Sequence, residues 1–398
     1  MTDFPLRSSL SLDNGNCAVH ENVHAIAFHL PQFHPIPEND QWWGMGFTEW
    51  MNVVQAKPLF PGHYQPHLPA ELGFYDLRLP EARAAQAELA ANHGIYGFCY
   101  FHYWFHGHRL LERPVNEILR TGEPDFPFCL CWANESWSRR WDGGDNEILI
   151  EQTYSPADDL AHIRELMPFF LSDRYIRVLD RPLFLVYRAS RLPAPERTMN
   201  LWRTLAEQAG LKGLFLVRVE SHDQVGDPRE LGFDCAVDFQ PWNEWMLSSR
   251  ILRRRWWHRR KLRTAEPLYF ENCLSDYEKF VDVALAAPRP AYPWIPCVCP
   301  GWDNSARRPR GDARIFVNPT PNAYERWLRE IVNRQLGNIV PSSNALNSPE
   351  SLVFINAWNE WAEGNHLEPC QKWGRSYLEA TRRALTASTS PDVVCASR

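Results

Sequence analysis

The chain has 398 residues and a formal net charge of -6, with 44% hydrophobic and 23% charged residues. That composition is ordinarily globular, and the mild negative charge gives no global case for nucleic acid. No apolar run approaches the roughly 18 residues that cross a bilayer, and the outlying feature is 13% aromatic residues, 18 of them tryptophan.

Residues 1–22 read as a tail. They carry neither the basic nor the apolar region of a secretion signal, so the chain reads as cytoplasmic. From there to residue 388 apolar runs alternate with helical patterns, and 389–398 form a second tail. Eight runs have strand character: 23–29, 94–101, 126–132, 182–187, 214–219, 235–239, 294–299 and 352–356. They are almost continuously apolar, as strands of a parallel sheet covered on both faces must be. Helical segments are expected at 79–92, 114–120, 156–171, 196–208, 276–286, 322–335 and 376–387. Ser155 and Ser275 stand where N-caps belong. The link between the fifth and sixth strands is weak, with only 228–231 as a short helix. Eight strands in this rhythm predict one α/β domain, a single (β/α)8 barrel with long strand–helix loops.

Polar groups collect after the strands. His102 follows strand two, and Trp132, Asn134 and Glu135 follow strand three. Glu220 ends strand five; Asp238, Gln240 and Trp242 end strand six, and Trp302 follows strand seven. The C-terminal face is where barrel enzymes place their chemistry. The densest end is SLVFINAWNEWAEGNHLEP at 351–369, where a buried strand empties into Trp358, Asn359, Glu360, Trp361, Glu363 and His366. Two carboxylates three residues apart among indoles suit cleavage or transfer of a glycosidic bond. One protonates the departing oxygen and the other assists at the sugar ring. The bland alternative is a strand-end turn with two solvated glutamates.

Other chemistries have less support. There is no glycine-rich nucleotide cradle and no nucleophile elbow. The histidines of 102–108, with His29, His34 and Glu135, would resemble a barrel-top metal site. No completing set accompanies them, so hydrogen bonds to sugar hydroxyls are preferred, and neither metal nor cofactor is expected. Ten cysteines fall mostly inside apolar runs and read as buried thiols. Within an insertion near 243–275, the basic, indole-bearing run Arg250–Arg263 predicts contact with an anionic membrane surface, peripheral to the inner membrane, or with an anionic glycan. A solvated insertion is the plain alternative.

Four motifs together carry a family resemblance: GFTEW at 46–50, FCYFHYWF at 98–105, CWANESWSRRWDG at 131–143 and NAWNEWAEGNHLEP at 356–369. They resemble the WbsX-like proteins, described as glycosyltransferases of lipopolysaccharide O-antigen synthesis with a glycoside hydrolase family 99-like domain. The resemblance spans about residues 23–385. It implies a (β/α)8 barrel acting on an oligosaccharide or polysaccharide. Family 99 comprises endo-acting α-mannosidases and mannanases whose E-W-H-E motif is similar to Glu360-Trp361-Ala362-Glu363. Carried over, Glu363 is the general acid/base and Glu360 the base on the sugar O2, which acts as internal nucleophile with net retention. Ala362 departs from the family's histidine, which bears on substrate choice. The sugar pocket is expected to include Glu49 and Trp50 of the first motif along with the strand-end residues above. The readings left open are hydrolysis or transfer on a mannose-like bacterial polysaccharide, an O-antigen glycosyltransferase, and a non-catalytic glycan-binding barrel.

Overall fold

A computed structural model describes residues 23–139, 144–221, 226–250, 272–308, 311–337 and 348–386. Eight parallel strands form the ring: β1 (His24–His29), β2 (Ile95–Phe105), β3 (Phe128–Trp132), β4 (Arg181–Val186), β5 (Phe215–Glu220), β6 (Cys235–Asp238), β7 in two segments (Trp294–Ile295 and Cys297–Val298) and β8 (Leu352–Ile355). The order runs β1 to β8 around the sheet. Closure is made by Phe28 with Cys99, Cys99 with Cys129, Val219 with Val237, Cys297 with Phe354, and Val353 with Ala25. Pro296 divides β7 because proline cannot donate to a ladder. The segment before it pairs with β6 and the one after it with β8. Its carbonyl still accepts Phe354 N–H at 2.8 Å, which keeps the seam shut.

Helices cover the strands: α1 (Pro37–Trp43), α2 (Glu49–Gln55), α3 (Pro80–Ala91), α4 (Arg113–Thr121), α5 (Pro156–Phe170), α6 (Pro195–Gln208), α7 (Asn243–Ser248), α8 (Tyr277–Ala286), α9 (Pro321–Leu336) and α10 (Ser376–Leu385). Several begin with proline, whose fixed φ suits the first turn. Ser155 caps α5 as expected, accepting Asp158 N–H at 3.1 Å. The cap of α8 is Asp276 rather than Ser275, since Ser275 lies in a short strand and donates to the Met246 carbonyl. Between β5 and β6 the described residues form the 3-10 turn Pro228–Leu231. Two helices after β1, α1 and α2, went unforeseen. A small parallel pair, Cys273–Asp276 with Arg314–Val317, stands above β7.

Alternation along β1 and β2 sorts the barrel interior from its outside. Phe28 packs on Phe101, Phe239 and Phe354 with ring centres 5.0–5.7 Å apart. These rings fill the barrel, each worth roughly 1.5–3 kcal/mol of burial. Phe101, Tyr187 and Phe239 form the floor of the C-terminal face. Both tails, and the basic run apart from Arg250, lie outside the described residues. Among the described residues no helix is long and apolar enough to cross a membrane.

Candidate active site

After β8 the chain makes a short antiparallel pair, Asn359–Glu360 with Asn365–His366, closed by the 3-10 turn Trp361–Glu363. The pair holds Glu360 and Glu363 on one side of a tight loop. Gly364 completes the turn at φ 57°, and a Cβ there would lie 2.9 Å from Asp303 Cβ. Asp303 N–H donates to the Glu363 carbonyl at 2.5 Å, joining the loop after β7 to the loop after β8. The Asp303 carboxylate caps the next 3-10 turn by accepting Ser305 N–H, and it also accepts Gln65 and contacts His63 at 2.6 Å. That turn, Asn304–Arg307, presents Arg307 to the loop after β8.

Arg307 is the centre of the site. Its Nε reaches Glu49 at 2.7 Å, one Nη reaches Glu363 at 2.7 Å, and the other reaches Glu360 at 3.1 Å. Glu49 opens α2 and is wholly buried. Three carboxylates around one guanidinium would carry excess negative charge if all were ionised, so the cluster favours holding a proton. Burial pushes Glu360 up to about 8, against the lowering pull of Arg307. Glu363 is likewise raised by burial and opposed by Arg307. Burial disfavours the charge on Arg307, yet Glu49, Glu363 and Glu360 more than restore it.

Glu360 and Glu363 both face a cavity of about 880 Å³ whose lining includes Phe101, Glu135, Tyr187, Trp242, Trp302 and Arg307. A second lobe of about 240 Å³ carries Trp43, Tyr103 and Trp137 and shares Phe101, Glu135, Tyr187, Arg307 and Glu360 with the first. The two lobes meet at Glu360 and Arg307, so an extended ligand crossing the barrel face would pass the carboxylates. Asn356 Oδ1 and Trp302 Nε1 are buried with no partner among the described residues, and both residues line the larger lobe. Such groups are suited to hydroxyls of a bound ligand.

The sequence-predicted residues divide. Glu360, Glu363, Glu135, Trp242 and Trp302 line the cavity, and Glu49 joins through Arg307. Glu135 also pairs with Arg188 at 2.9 Å. The others are placed elsewhere, which corrects the expected pocket. His102 and Trp132 are register partners on the outer face of β2 and β3, one step out of phase with Phe101. His102 Nε2 lies 2.9 Å from His162 Nε2, and Trp132 packs on the same imidazole. Asn134 ties a loop, accepting Arg188 N–H and donating to the Arg188 carbonyl and the Tyr154 hydroxyl. Trp50 donates to the Tyr75 carbonyl and packs behind Trp361. Trp358 packs on Phe98.

Asn359 bonds both backbone groups of Leu30. Glu220 accepts Arg218 and Tyr292, while Asp238 accepts the Trp242 indole and is pushed by burial up to about 7. Gln240 accepts Trp242 N–H and gives its carbonyl to Asn356. His366 stacks on Trp361 at 3.8 Å, with burial holding it neutral, down to about 3. Of the histidines offered as a metal set, His29 pairs with Gln86, His102 with His162 and His108 with Glu38, while the two ring nitrogens of His34 are buried with no hydrogen-bond partner among the described residues. Arg307 escaped the sequence reading. The signal was three clustered acids without a counter-charge and an arginine soon after the seventh strand.

Solved structures similar to this fold include a glycoside hydrolase-like protein, with TM-score 0.55 and 13% identity, covering 96% of this chain and 98% of that one. The family 99 endo-α-mannosidase of Bacteroides thetaiotaomicron gives TM-score 0.50 and 14% identity, covering 91% and 96%. At these identities the likenesses show the fold alone, a (β/α)8 barrel. The model of the family described as "Glycosyltransferase WbsX" matches residues 25–381. The chain therefore belongs to the WbsX glycosyltransferase family, a family of carbohydrate-active enzymes. It is also 45% identical over 368 residues to "Uncharacterized protein WxcX" of Xanthomonas campestris pv. campestris, in strains B100 and ATCC 33913. That match covers 92% of this chain, which spans about half the length of those relatives.

Proposed function

We propose that the chain cleaves or transfers glycosidic bonds of a bacterial polysaccharide with an α-mannoside-like unit at the reacting position. Glu363 acts as the general acid/base, and Glu360 as the base on O2. The supporting observation is that both carboxylates face one cavity while sharing one guanidinium. Glu363 is the more open of the two, with 19% side-chain exposure against 8% for Glu360. An acid must recover its proton from solvent, so the more open carboxylate suits that part. Its raised affinity for a proton keeps it loaded nearer neutrality. Glu360, raised to about 8, is a stronger base once ionised than an ordinary glutamate. Arg307 offsets burial and keeps an ionised fraction available.

In an α-manno unit the axial O2 lies anti to the axial leaving group. Deprotonation by Glu360 lets O2 displace the leaving oxygen while Glu363 protonates it. Attack by water or a sugar hydroxyl, which gives its proton to Glu363, then breaks the C1–O2 bond of the 1,2-anhydro ring while Glu360 returns its proton to O2, with net retention. Transfer to a sugar is favoured over hydrolysis by the family's name, and the two lobes beside Glu360 offer room for donor and acceptor.

The test is product analysis with α-mannans and O-antigen glycans, with and without nucleotide sugars. Chain shortening or extension by the wild type is expected. Glu363→Gln and Glu360→Gln should each lose on the order of 10²-fold or more in turnover. Full turnover by Glu363→Gln overturns the acid/base assignment.

A further inference from the structure

We propose that the larger lobe is built for a saccharide carrying an oxyanion, phosphate or carboxylate, on the Glu363 side of the reacting bond. The inference rests on the reading of Glu360 and Glu363 as the reacting centre and adds the charge of the substrate. Its basis is one wall of the 880 Å³ cavity. Arg250, Arg308 and Arg314 line it, with Asp312 the carboxylate beside them among the described residues; the cavity's other carboxylates, Glu135, Glu360 and Glu363, are held by Arg188 and Arg307.

The fold brings these arginines together from separate segments. Arg250, just past α7, bridges in backbone to Ser275. Arg314 is paired with Cys273 two residues earlier on the same short strand, and its N–H is fixed by Asn304 Oδ1 at 2.8 Å. Arg308 follows the turn that presents Arg307, and its charge is felt by Glu363. The lobe's other two arginines are engaged in site ion pairs, Arg188 with Glu135 and Arg307 with the three glutamates. Arg250 and Arg314 have no carboxylate partner among the described residues.

Positive charge gathered in a concave wall concentrates anions there, and guanidinium forks match phosphate and carboxylate oxygens. A neutral glycan would leave Arg250 and Arg314 without an answering carboxylate among the described residues. The smaller lobe presents Trp43, Tyr103 and Trp137 instead, a stacking surface for uncharged sugar faces. The cleft is therefore polarised, with an aromatic side and a cationic side meeting at Glu360.

The test is calorimetric binding to the full chain of mannose, mannose 1-phosphate, glucuronic acid and inorganic pyrophosphate. Glu363→Gln serves as background, so that turnover does not intrude. Mannose 1-phosphate or glucuronic acid should bind at least about tenfold tighter than mannose. That advantage should shrink between about 0.05 and about 0.5 M salt. Preference for the phosphate identifies a phosphorylated sugar, and preference for glucuronic acid an acidic polysaccharide. Arg250→Gln/Arg314→Gln should abolish the advantage, and Arg250→Lys/Arg314→Lys should keep part of it, with circular dichroism confirming that both remain folded. Should the double glutamine variant unfold, Arg250→Gln alone, on an exposed residue, is read the same way.

Equal affinity for mannose and the anions overturns the proposal, as does anion binding unchanged in the glutamine variants. The two readings fail separately. Anion binding without turnover on any glycan sinks the catalytic reading alone. Turnover of neutral mannan with no anion preference sinks the charge assignment alone.

Discussion

Glu49 Oε1 accepts the Nε hydrogen of Arg307 at 2.7 Å, joining the start of α2 to the turn after β7. A wholly buried carboxylate at the start of α2 needs a cation, and Arg307 needs acids on several sides to remain charged away from water. The pair thereby fixes α2 against the loop after β7 and aims the remaining guanidinium nitrogens at Glu360 and Glu363.

Arg307→Met should therefore cost about 3–5 kcal/mol in chemical denaturation, because it strands buried carboxylates without their counter-charge. The same loss raises proton affinity at Glu360 and Glu363, so the alkaline shift of any pH–rate profile is the second readout. Arg307→Lys keeps the charge but cannot span three acids, and should recover only part of both properties.

Stability should fall as pH rises from about 6.5 to 8. Glu360 is raised to about 8, and Asp238 and Glu368 to about 7, each chiefly by burial. The folded chain thus holds, up to about pH 7 or 8, protons that the unfolded chain releases around pH 4.5 or below. Where the folded state binds more protons, stability declines with pH, by up to about 1.4 kcal/mol per unit for each group. Below 6.5 the buried histidines oppose this. His29, His34, His67 and His366 are lowered to about 3 or 4, so the unfolded chain binds the extra protons there and stability rises with pH. Thermal melts should peak near pH 6.5 and decline above it, less steeply in Glu360→Gln. A profile still rising at pH 8 contradicts this account.

Asn359→Ala should destabilise by about 3 kcal/mol while leaving the cavity lining intact. The amide satisfies Leu30 N–H at 2.7 Å and the Leu30 carbonyl at 3.0 Å, and also donates to the Tyr75 hydroxyl. Tyr75 in turn donates to Glu368, which also accepts the Trp361 indole. Urea unfolding measures the loss. A change below about 0.5 kcal/mol would show that the network tolerates the hole.

The barrel was legible because a parallel strand covered on both faces is an apolar run, and all eight runs fell within a few residues of their strands. Of the candidate site, positions 360 and 363 were legible as polar groups interrupting such a run, and both line the larger cavity. What strand-end position does not reveal is phase. His102 and Phe101 are adjacent in sequence, yet the alternation that puts Phe101 over the floor turns His102 outward to His162. Arg307 was hidden for a different reason: it sits in an irregular turn, and its partners come from two segments distant in sequence, the start of α2 and the loop after β8. The same holds for the wall of Arg250 and Arg314, which depends on a two-stranded pairing of segments about forty residues apart.

Gly364 leaves no room for a side chain against Asp303, and Asp303 in turn carries both the backbone bond to Glu363 and the cap that presents Arg307. These two positions cannot drift independently. Among related chains, a bulkier residue at one should appear only with a compensating change at the other, and the loops after β7 and β8 should exchange between homologues as a matched set.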